Sequence, residues 1–290
     1  MEQLSAPAGI RYAGIGDEAG PSLAEQITAL ARLGWNAIEL RTVDGVAIAD
    51  LDNRAFERLA DDVAAAGLDV VCVDSRIANW ARPVTGPFEV DTAELAALAP
   101  RCARLGTRYI RVMSYPNDGL DDAEWGRRVL RRLCSLADRA RDLGLVLLHE
   151  NCSGWAGARA DRMLELLAAA GPALRLMFDT GNGIPYGYDA HALLTQIVDH
   201  ITHVQVKDAA GGPSDTVYTL AGEGEARVPD CLRTLLQHGY TGTWSIEPHL
   251  TLRPHEGSTD ASGHGDAFVA YGRHLERLVR EKVIAPEAVR

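Results

Sequence analysis

The chain has 290 residues, of which 47% are hydrophobic and 24% charged, so it can bury a large core and is not a mainly disordered polypeptide. Its 29 basic and 40 acidic residues give a formal net charge of −11, and no run of five or more basic residues occurs. This charge excludes a nucleic-acid backbone as the expected partner.

No apolar run approaches the roughly 18 residues that a membrane span needs, so we expect no membrane partner. The N-terminal segment MEQLSAPAG has neither a cationic start nor an apolar signal core. The five cysteines are scattered and form no CxxC pair, which is typical of reduced thiols. We therefore expect a cytoplasmic protein.

Short β-branched or apolar segments alternate with longer amphipathic segments along the whole chain. In chain order, the predicted strands are residues 11–15, 37–41, 70–75, 109–114, 145–150, 174–179, 201–206 and 243–247. The predicted helices are residues 22–33, 54–66, 92–105, 122–143, 158–170, 190–198, 229–238 and 267–281. Strands that alternate with helices pair in parallel, because each crossover returns the chain to the same end of the sheet. Eight such units predict an α/β fold, a single (β/α)8 TIM barrel, with residues 1–290 as one domain.

The positions of glycines support the predicted ends of the helices. Several helices end at a glycine just before the next strand, which is a helix C-cap signal. The longest predicted loops, 77–90, 207–227 and 250–265, all follow strands, where the active-site loops of a barrel lie. A doubly wound open sheet is the competing fold, but no GxGxxG follows the first strand.

Polar residues stand at the carboxyl ends of four consecutive strands. Strand five ends in HEN at 149–151, strand six in FDT at 178–180, strand seven in QVKD at 205–208 and strand eight in SIEPH at 245–249. Side chains alternate between the lumen and the helix layer, so Asp179, Gln205 and Glu247 face the lumen if their apolar neighbours face outward. Strand five is apolar on both sides and does not decide the direction of Glu150.

Three carboxylates that converge on one small lumen repel one another unless something neutralises them. We expect a divalent cation held by Glu150, Asp179, Gln205 and Glu247. All four side chains offer oxygen, which favours Mn²⁺ as the first choice, with Mg²⁺ or Co²⁺ as alternatives. The competing interpretation is that each carboxylate is paired with Lys or Arg at the barrel mouth.

Similarity to a known family extends over nearly the whole chain. It rests on GWNAIELR at 34–41, HEN at 149–151, DTGN at 179–182 and GEG at 222–224. These segments resemble the sugar phosphate isomerase/epimerase superfamily, the xylose isomerase-like TIM barrels that include ketose 3-epimerases, hydroxypyruvate isomerase, inosose dehydratase and 3-dehydroshikimate dehydratase. The resemblance implies one metal ion on the four ligands above, with Glu150 and Glu247 as the catalytic acid and base.

The chain departs from the family pattern at three positions. Gln205 stands where His is the usual ligand, as it does in hydroxypyruvate isomerase-like members, and Asn182 replaces a frequent His. Gly211 stands where ketose 3-epimerases have an Arg, so the resemblance implies no particular ketose.

The expected function is that of a metal-dependent isomerase or epimerase of a small carbohydrate or ketose. A cation on the carbonyl oxygen stabilises the enediolate that forms when a neighbouring proton is removed. Two carboxylates on opposite faces of the carbon give epimerisation, and one carboxylate that shuttles the proton gives aldose–ketose isomerisation. A lyase or dehydratase acting on a cyclitol or keto-sugar is the first alternative, and a non-catalytic barrel that binds a sugar or a partner is the second.

Further residues near the strand ends are substrate-binding candidates. They are Asn182, Lys207, His249, Glu18, Arg41, Trp80 and Trp155. Lys207 has the alternative of pairing with a carboxylate, Glu39 and Arg41 have that of pairing with each other, and the tryptophans have that of ordinary packing. Analogy suggests a homodimer or homotetramer.

Overall fold

Eight strands and eight principal helices alternate in the structure, a computed structural model that describes residues 10–253 and 263–284. The strands are β1 (Arg11–Gly14), β2 (Ala37–Leu40), β3 (Asp69–Asp74), β4 (Tyr109–Ser114), β5 (Val146–Gly154), β6 (Leu174–Asp179), β7 (Ile201–Val206) and β8 (Thr243–Ile246). The helices are α1 (Leu23–Leu33), α2 (Asn53–Ala65), α3 (Glu89–Leu105), α4 (Asp122–Asp142), α5 (Ala160–Ala170), α6 (Ala190–Ile197), α7 (Val228–Gln237) and α8 (His264–Leu278).

The strands form one parallel barrel. Hydrogen-bonded neighbours follow the order β1-β8-β7-β6-β5-β4-β3-β2, and a parallel bridge between Ile15 and Glu39 joins β1 to β2 and closes the ring. The predicted (β/α)8 barrel is thus confirmed. Strand β5 continues beyond the predicted end at residue 150, because Gly154 still pairs with Ser114 after an irregularity in the register.

Local sequence signals explain where the helices begin and end. At the start of α1, Ser22 accepts from the backbone N–H of Glu25, whose carboxylate in turn accepts from the Ser22 backbone. The same helix ends at Gly34, which has the left-handed backbone at φ 71° that a side chain would disfavour. Helix α3 starts three residues earlier than predicted and α8 also starts at residue 264 rather than 267.

Two small hairpins extend the loops above the barrel and were not predicted. One pairs Thr42–Val43 with Val46–Ala47 after β2, and the other pairs Asp208–Ala210 with Val217–Thr219 after β7. The second lies within the predicted loop 207–227. The predicted loop 250–265 lies only partly within the described residues, and the segment 1–9 lies outside them.

Asp208 fixes the base of the second hairpin. Its carboxylate accepts hydrogen bonds from four backbone N–H groups at 2.7–3.1 Å, those of Ala209, Gly222, Gly224 and Ala226. A charged acceptor that satisfies several buried N–H groups holds a loop in one conformation. This arrangement places Tyr218, which lies on the outer strand of the hairpin, over the mouth of the barrel.

A small apolar cluster lies apart from the main core. It consists of Cys72, Leu148 and Met177 on strands β3, β5 and β6. The main apolar core lies between the strands and the helices, where Trp244, Phe178 and Leu30 are fully buried. Of the helices described, none has the length and apolar character needed to span a membrane.

Candidate active site

A cavity of about 260 Å³ opens at the carboxyl ends of the strands. Seven residues predicted for the site line it, namely Arg41, Trp80, Glu150, Asn182, Lys207, Glu247 and His249. The lining also includes residues that the sequence did not single out: Arg111, Met113, Cys152, Pro185, Tyr186 and Tyr218. Asp179 and Gln205 are fully buried on the neighbouring strands.

Lys207 links two of the predicted metal ligands. Its Nζ lies 2.6 Å from Glu247 Oε2 and 3.2 Å from Asp179 Oδ2, and the whole group is buried. Burial opposes the charge, but the carboxylates of Asp179 and Glu247 raise the pKa of Lys207 well above its ordinary value. The ammonium is therefore charged, and the alternative of pairing with ligand carboxylates is what the geometry shows.

Arg41 fixes the other oxygen of Glu247. The guanidinium donates from Nη1 to Glu247 Oε1 at 2.7 Å, from Nη2 to Asp17 Oδ1 at 2.8 Å and from Nη2 to Glu18 Oε1 at 3.1 Å. It makes none of these bonds to Glu39, so the alternative of a Glu39–Arg41 pair is not what forms. The reason is position: Arg41 lies just beyond the end of β2 at the mouth, whereas Glu39 lies within the strand.

Glu150 is held from two sides. Arg111 Nη1 donates to its Oε2 at 2.8 Å and Asn182 Nδ2 donates to its Oε1 at 2.7 Å. Arg111 lies in the middle of β4, in the segment YIRVMS. A charged residue inside an otherwise apolar strand was the available signal for it, because a buried arginine needs a carboxylate partner.

Asp179 uses one oxygen to shape the loop after β6. Its Oδ1 accepts from the backbone N–H groups of Gly181 and Asn182 at 2.7 and 2.8 Å. Burial raises the pKa of Asp179 to about 8, with further contributions from the charges of Glu247 and Glu150, while Lys207 acts in the opposite direction. The raised pKa favours the protonated form of this carboxyl group at neutral pH.

Gln205 and Glu39 meet inside the lumen. Gln205 Nε2 donates to Glu39 Oε1 at 3.0 Å, and His203 Nε2 lies 3.0 Å from Glu39 Oε2. Burial alone would raise the pKa of Glu39, but His203 and neighbouring donors outweigh it and lower the pKa to about 2. Glu39 is thus a buried carboxylate that remains charged.

His249 is paired with Glu18. Its Nδ1 lies 2.7 Å from Glu18 Oε1, its backbone N–H donates to Glu18 Oε2 at 2.7 Å, and its Nε2 lies 3.9 Å from Glu247 Oε1. Tyr218 contacts the imidazole edge-on at a ring separation of 4.7 Å. Glu18 therefore reaches the site through His249 and Arg41 and does not itself line the cavity.

The two tryptophans predicted to lie over the barrel mouth, Trp80 and Trp155, occupy different environments. Trp80 lines the cavity and is 40% exposed. Trp155 is 5% exposed, and its indole packs against Gly126 of α4 and lies 5.2 Å from the Arg162 guanidinium. The prediction that Trp155 lies over the mouth is wrong, because β5 is longer than predicted and the indole turns into the apolar layer outside the barrel.

The charges around the cavity do not balance among the described residues. Three permanent cations contact six carboxyl groups: Arg41, Arg111 and Lys207 against Asp17, Glu18, Asp74, Glu150, Asp179 and Glu247. Burial and the Glu39 charge raise the pKa of Asp74 well above its ordinary value, so this carboxyl group is neutral. The other five exceed the three cations by two charges if Asp179 is ionised, and by one charge if Asp179 is protonated, the form that its raised pKa favours at neutral pH.

The donor atoms also suit a cation. Gln205 Oε1 accepts no hydrogen bond from any described residue although the side chain is buried, and Asp179 Oδ2 has its ion pair with Lys207 alone. Buried acceptors of this kind cost free energy unless a partner is supplied. The side chains of Glu150, Asp179, Gln205 and Glu247 all offer oxygen atoms, the donor type that Mn²⁺ and Mg²⁺ prefer.

The carboxylates are nevertheless not gathered around one point. In the described part of the chain, ligand atoms all within 4.8 Å of one another occur in Glu18–Glu247–His249 and in Glu39–Cys72–Asp74. The predicted trio of Glu150, Asp179 and Glu247 is in neither group, because Lys207 lies between two of its members and Arg111 holds the third.

Comparisons with known proteins point in one direction. The family model of the xylose isomerase-like TIM barrel matches residues 27–264. A 2-epi-5-epi-valiolone 7-phosphate 2-epimerase of Actinoplanes sp. is 30% identical over 172 residues, which cover 59% of this chain and 61% of that protein. An inosose dehydratase of Bacillus licheniformis is 29% identical over 142 residues, which cover 43% of this chain and 47% of that protein. The chain thus spans less than two thirds of the length of either relative.

Solved structures share the architecture. The IOLI protein, crystallised with a zinc atom, has a TM-score of 0.75 at 14% identity, covering 94% of this chain and 99% of that one. D-psicose 3-epimerase with D-tagatose, from Clostridium cellulolyticum H10, has a TM-score of 0.70 at 13% identity, covering 93% and 99%. A xylose isomerase-like TIM barrel protein from Mycobacterium smegmatis in complex with magnesium has a TM-score of 0.70 at 14% identity, covering 97% and 99%. Identities this low show the fold alone, but the family model covers most of the chain, and the protein therefore belongs to the xylose isomerase-like TIM barrel family.

Proposed function

We propose that this protein is a divalent-metal-dependent isomerase or epimerase of a small carbohydrate or ketose. The observation that carries the proposal is the pair of carboxylates, Glu150 and Glu247, that face one cavity of about 260 Å³ from strands β5 and β8. Strands β6 and β7 lie between them in the barrel, so the two groups approach a bound molecule from different sides. Such a pair can remove a proton beside a carbonyl and return one.

Neighbouring side chains hold both carboxylates in place by hydrogen bonds. Arg111 and Asn182 hold Glu150, and Arg41 and Lys207 hold Glu247, at 2.6–2.8 Å. These contacts orient the carboxylate oxygens and supply donors for substrate hydroxyl groups. Glu150, Asp179, Gln205 and Glu247 would hold the metal, with Mn²⁺ as our first choice, and a bound divalent ion polarises the carbonyl group and stabilises charge that develops on its oxygen.

Dehydration is the second candidate. It is favoured by the His249–Glu18 pair, because an imidazole held by a carboxylate at Nδ1 can deliver a proton from Nε2 to a departing hydroxyl group. The inosose dehydratase among the relatives is consistent with this chemistry. A dehydratase releases water from the substrate, whereas an isomerase or epimerase leaves its composition unchanged.

Mass spectrometry in D2O separates these functions. The metal-free protein, supplied with MnCl2, is incubated with free and phosphorylated ketoses and with inososes. We expect one carbon-bound deuterium in the recovered sugar and in its isomer, and about 10²–10⁴-fold slower exchange in Glu150→Gln and Glu247→Gln. Loss of one water would instead support dehydration. Absence of exchange and of any reaction, with metal bound, would support a non-catalytic binding barrel and refute the proposal.

A further inference from the structure

The side-chain amide of Gln205 makes a hydrogen bond through its NH2 group but none through its oxygen to any described residue. Nε2 donates to Glu39 Oε1 at 3.0 Å, while Oε1 accepts from no described residue despite complete burial. An amide binds a metal ion through its oxygen, because the NH2 end presents hydrogens. The orientation of this amide therefore decides whether residue 205 can be a ligand at all.

The partner of the NH2 end selects that orientation. A carboxylate only accepts hydrogen bonds, so Glu39 can face the NH2 end of Gln205 and not its oxygen. The reversed amide would bring its oxygen against the carboxylate and its NH2 group toward the cation, and both contacts would be repulsive.

Glu39 is itself held in place. It lies on β2, on the other side of the lumen from β7, and has 0% exposure. Its second oxygen lies 3.0 Å from His203 Nε2, two residues before Gln205 on β7. The carboxylate is thus clamped between two side chains of the same strand.

We infer that Glu39 is a positioning residue that holds the Gln205 amide with its oxygen available to the metal, and that His203 holds Glu39. The inference rests on the proposed function, because it takes Gln205 as a metal ligand. It adds a residue beyond the four ligands, and partners of this outer kind typically change metal affinity by about 10–100-fold.

The test is calorimetric titration of metal-free protein with MnCl2, which measures affinity without any substrate. We expect Glu39→Gln to bind Mn²⁺ about 10–100-fold more weakly, because the new amide can donate or accept and no longer selects one orientation of Gln205. The exchange variant Glu39→Gln/Gln205→Glu should recover wild-type affinity, because the new carboxylate at 205 has oxygen at both ends and the new amide at 39 can donate to it.

Control variants separate this role from a general effect on the barrel. Val146→Ile changes a partly buried residue that packs against the cluster of Cys72, Leu148 and Met177, and it should leave the affinity unchanged. Thermal unfolding of every variant monitors folding. If Glu39→Gln alone does not fold, the test is the comparison of Mn²⁺ affinity between the exchange variant and the wild-type protein.

Each outcome has one meaning. Wild-type protein that binds no Mn²⁺ overturns the proposed metal site and this inference together. Wild-type binding with equal binding by Glu39→Gln overturns the inference alone, as does an exchange variant that folds and remains at least tenfold weaker than wild type. A weakened single variant with a recovered exchange variant supports the inference.

Discussion

Replacing Lys207 with Met removes the cation that two buried carboxylates share. At an effective dielectric constant of about 20, an ammonium 2.6 Å from Glu247 gains about 6 kcal/mol of Coulomb energy, and at 3.2 Å from the ionised form of Asp179 it gains about 5 kcal/mol. Desolvation of the ammonium offsets several kcal/mol of that sum. Because removal of one partner leaves buried charge uncompensated, we expect Lys207→Met to lower the free energy of unfolding by about 3–5 kcal/mol.

Urea unfolding of the metal-free variant and wild type at pH 8 measures this difference. The matched control is Arg141→Met, which also removes a cation from two carboxylates, Asp138 and Asp142, but at a half-exposed surface position. The control should cost at most about 1 kcal/mol. If Lys207→Met costs no more than the control, the ammonium does not act as a buried counter-charge and the electrostatic account of the site is wrong.

Three further predictions concern single side chains. Burial lowers the pKa of His149 to about 4, so between pH 6.5 and 4 the unfolded chain binds a proton that the folded chain does not bind. The free energy of unfolding should therefore fall by about 3 kcal/mol as the pH is lowered through that range. Urea unfolding at a series of pH values measures this fall, which should be smaller in His149→Leu. Gly224→Ala would place a Cβ 2.4 Å from Asp208 Oδ1, so its unfolding free energy should drop by about 1–3 kcal/mol, whereas an unchanged midpoint of thermal unfolding would show that the loop yields freely. Trp80→Ala should raise the KM for the proposed substrate about tenfold and leave the midpoint of thermal unfolding unchanged. Trp155→Ala should instead lower the free energy of unfolding by about 3–5 kcal/mol. The reverse pattern would contradict the position of Trp80 at the cavity and of Trp155 in the core.

The barrel was predictable from the sequence because its signals are local and repeated. Glycines such as Gly34 mark where a helix must end, and the alternation of short apolar strands with amphipathic helices leaves one parallel topology at this repeat number. The hairpin Asp208–Ala210 with Val217–Thr219 escaped prediction, since three-residue strands in a polar loop carry no measurable periodicity.

The candidate site was only partly predictable for a different reason. Strand-end position and side-chain alternation place Asp179, Gln205 and Glu247 at one end of the barrel. They do not say which cation each carboxylate meets, because the partners lie far away in the chain: Arg41 reaches Glu247 across more than two hundred residues of sequence. Rotamers and loop paths decide such contacts, as the inward turn of Trp155 also shows.

The clustering of four backbone donors on Asp208 divides the loop above the cavity into a fixed root and a variable tip. Residues 211–216 lie outside that root, yet they join the strand that brings Tyr218 to the rim. Substitutions or length changes between Ala210 and Val217 are therefore the natural place to redesign which molecules the barrel admits, since they can alter the rim without disturbing the scaffold beneath it. Changes at residues 211–216 keep the hydrogen bonds of Asp208, whereas changes at Gly222 or Gly224 disturb two of them.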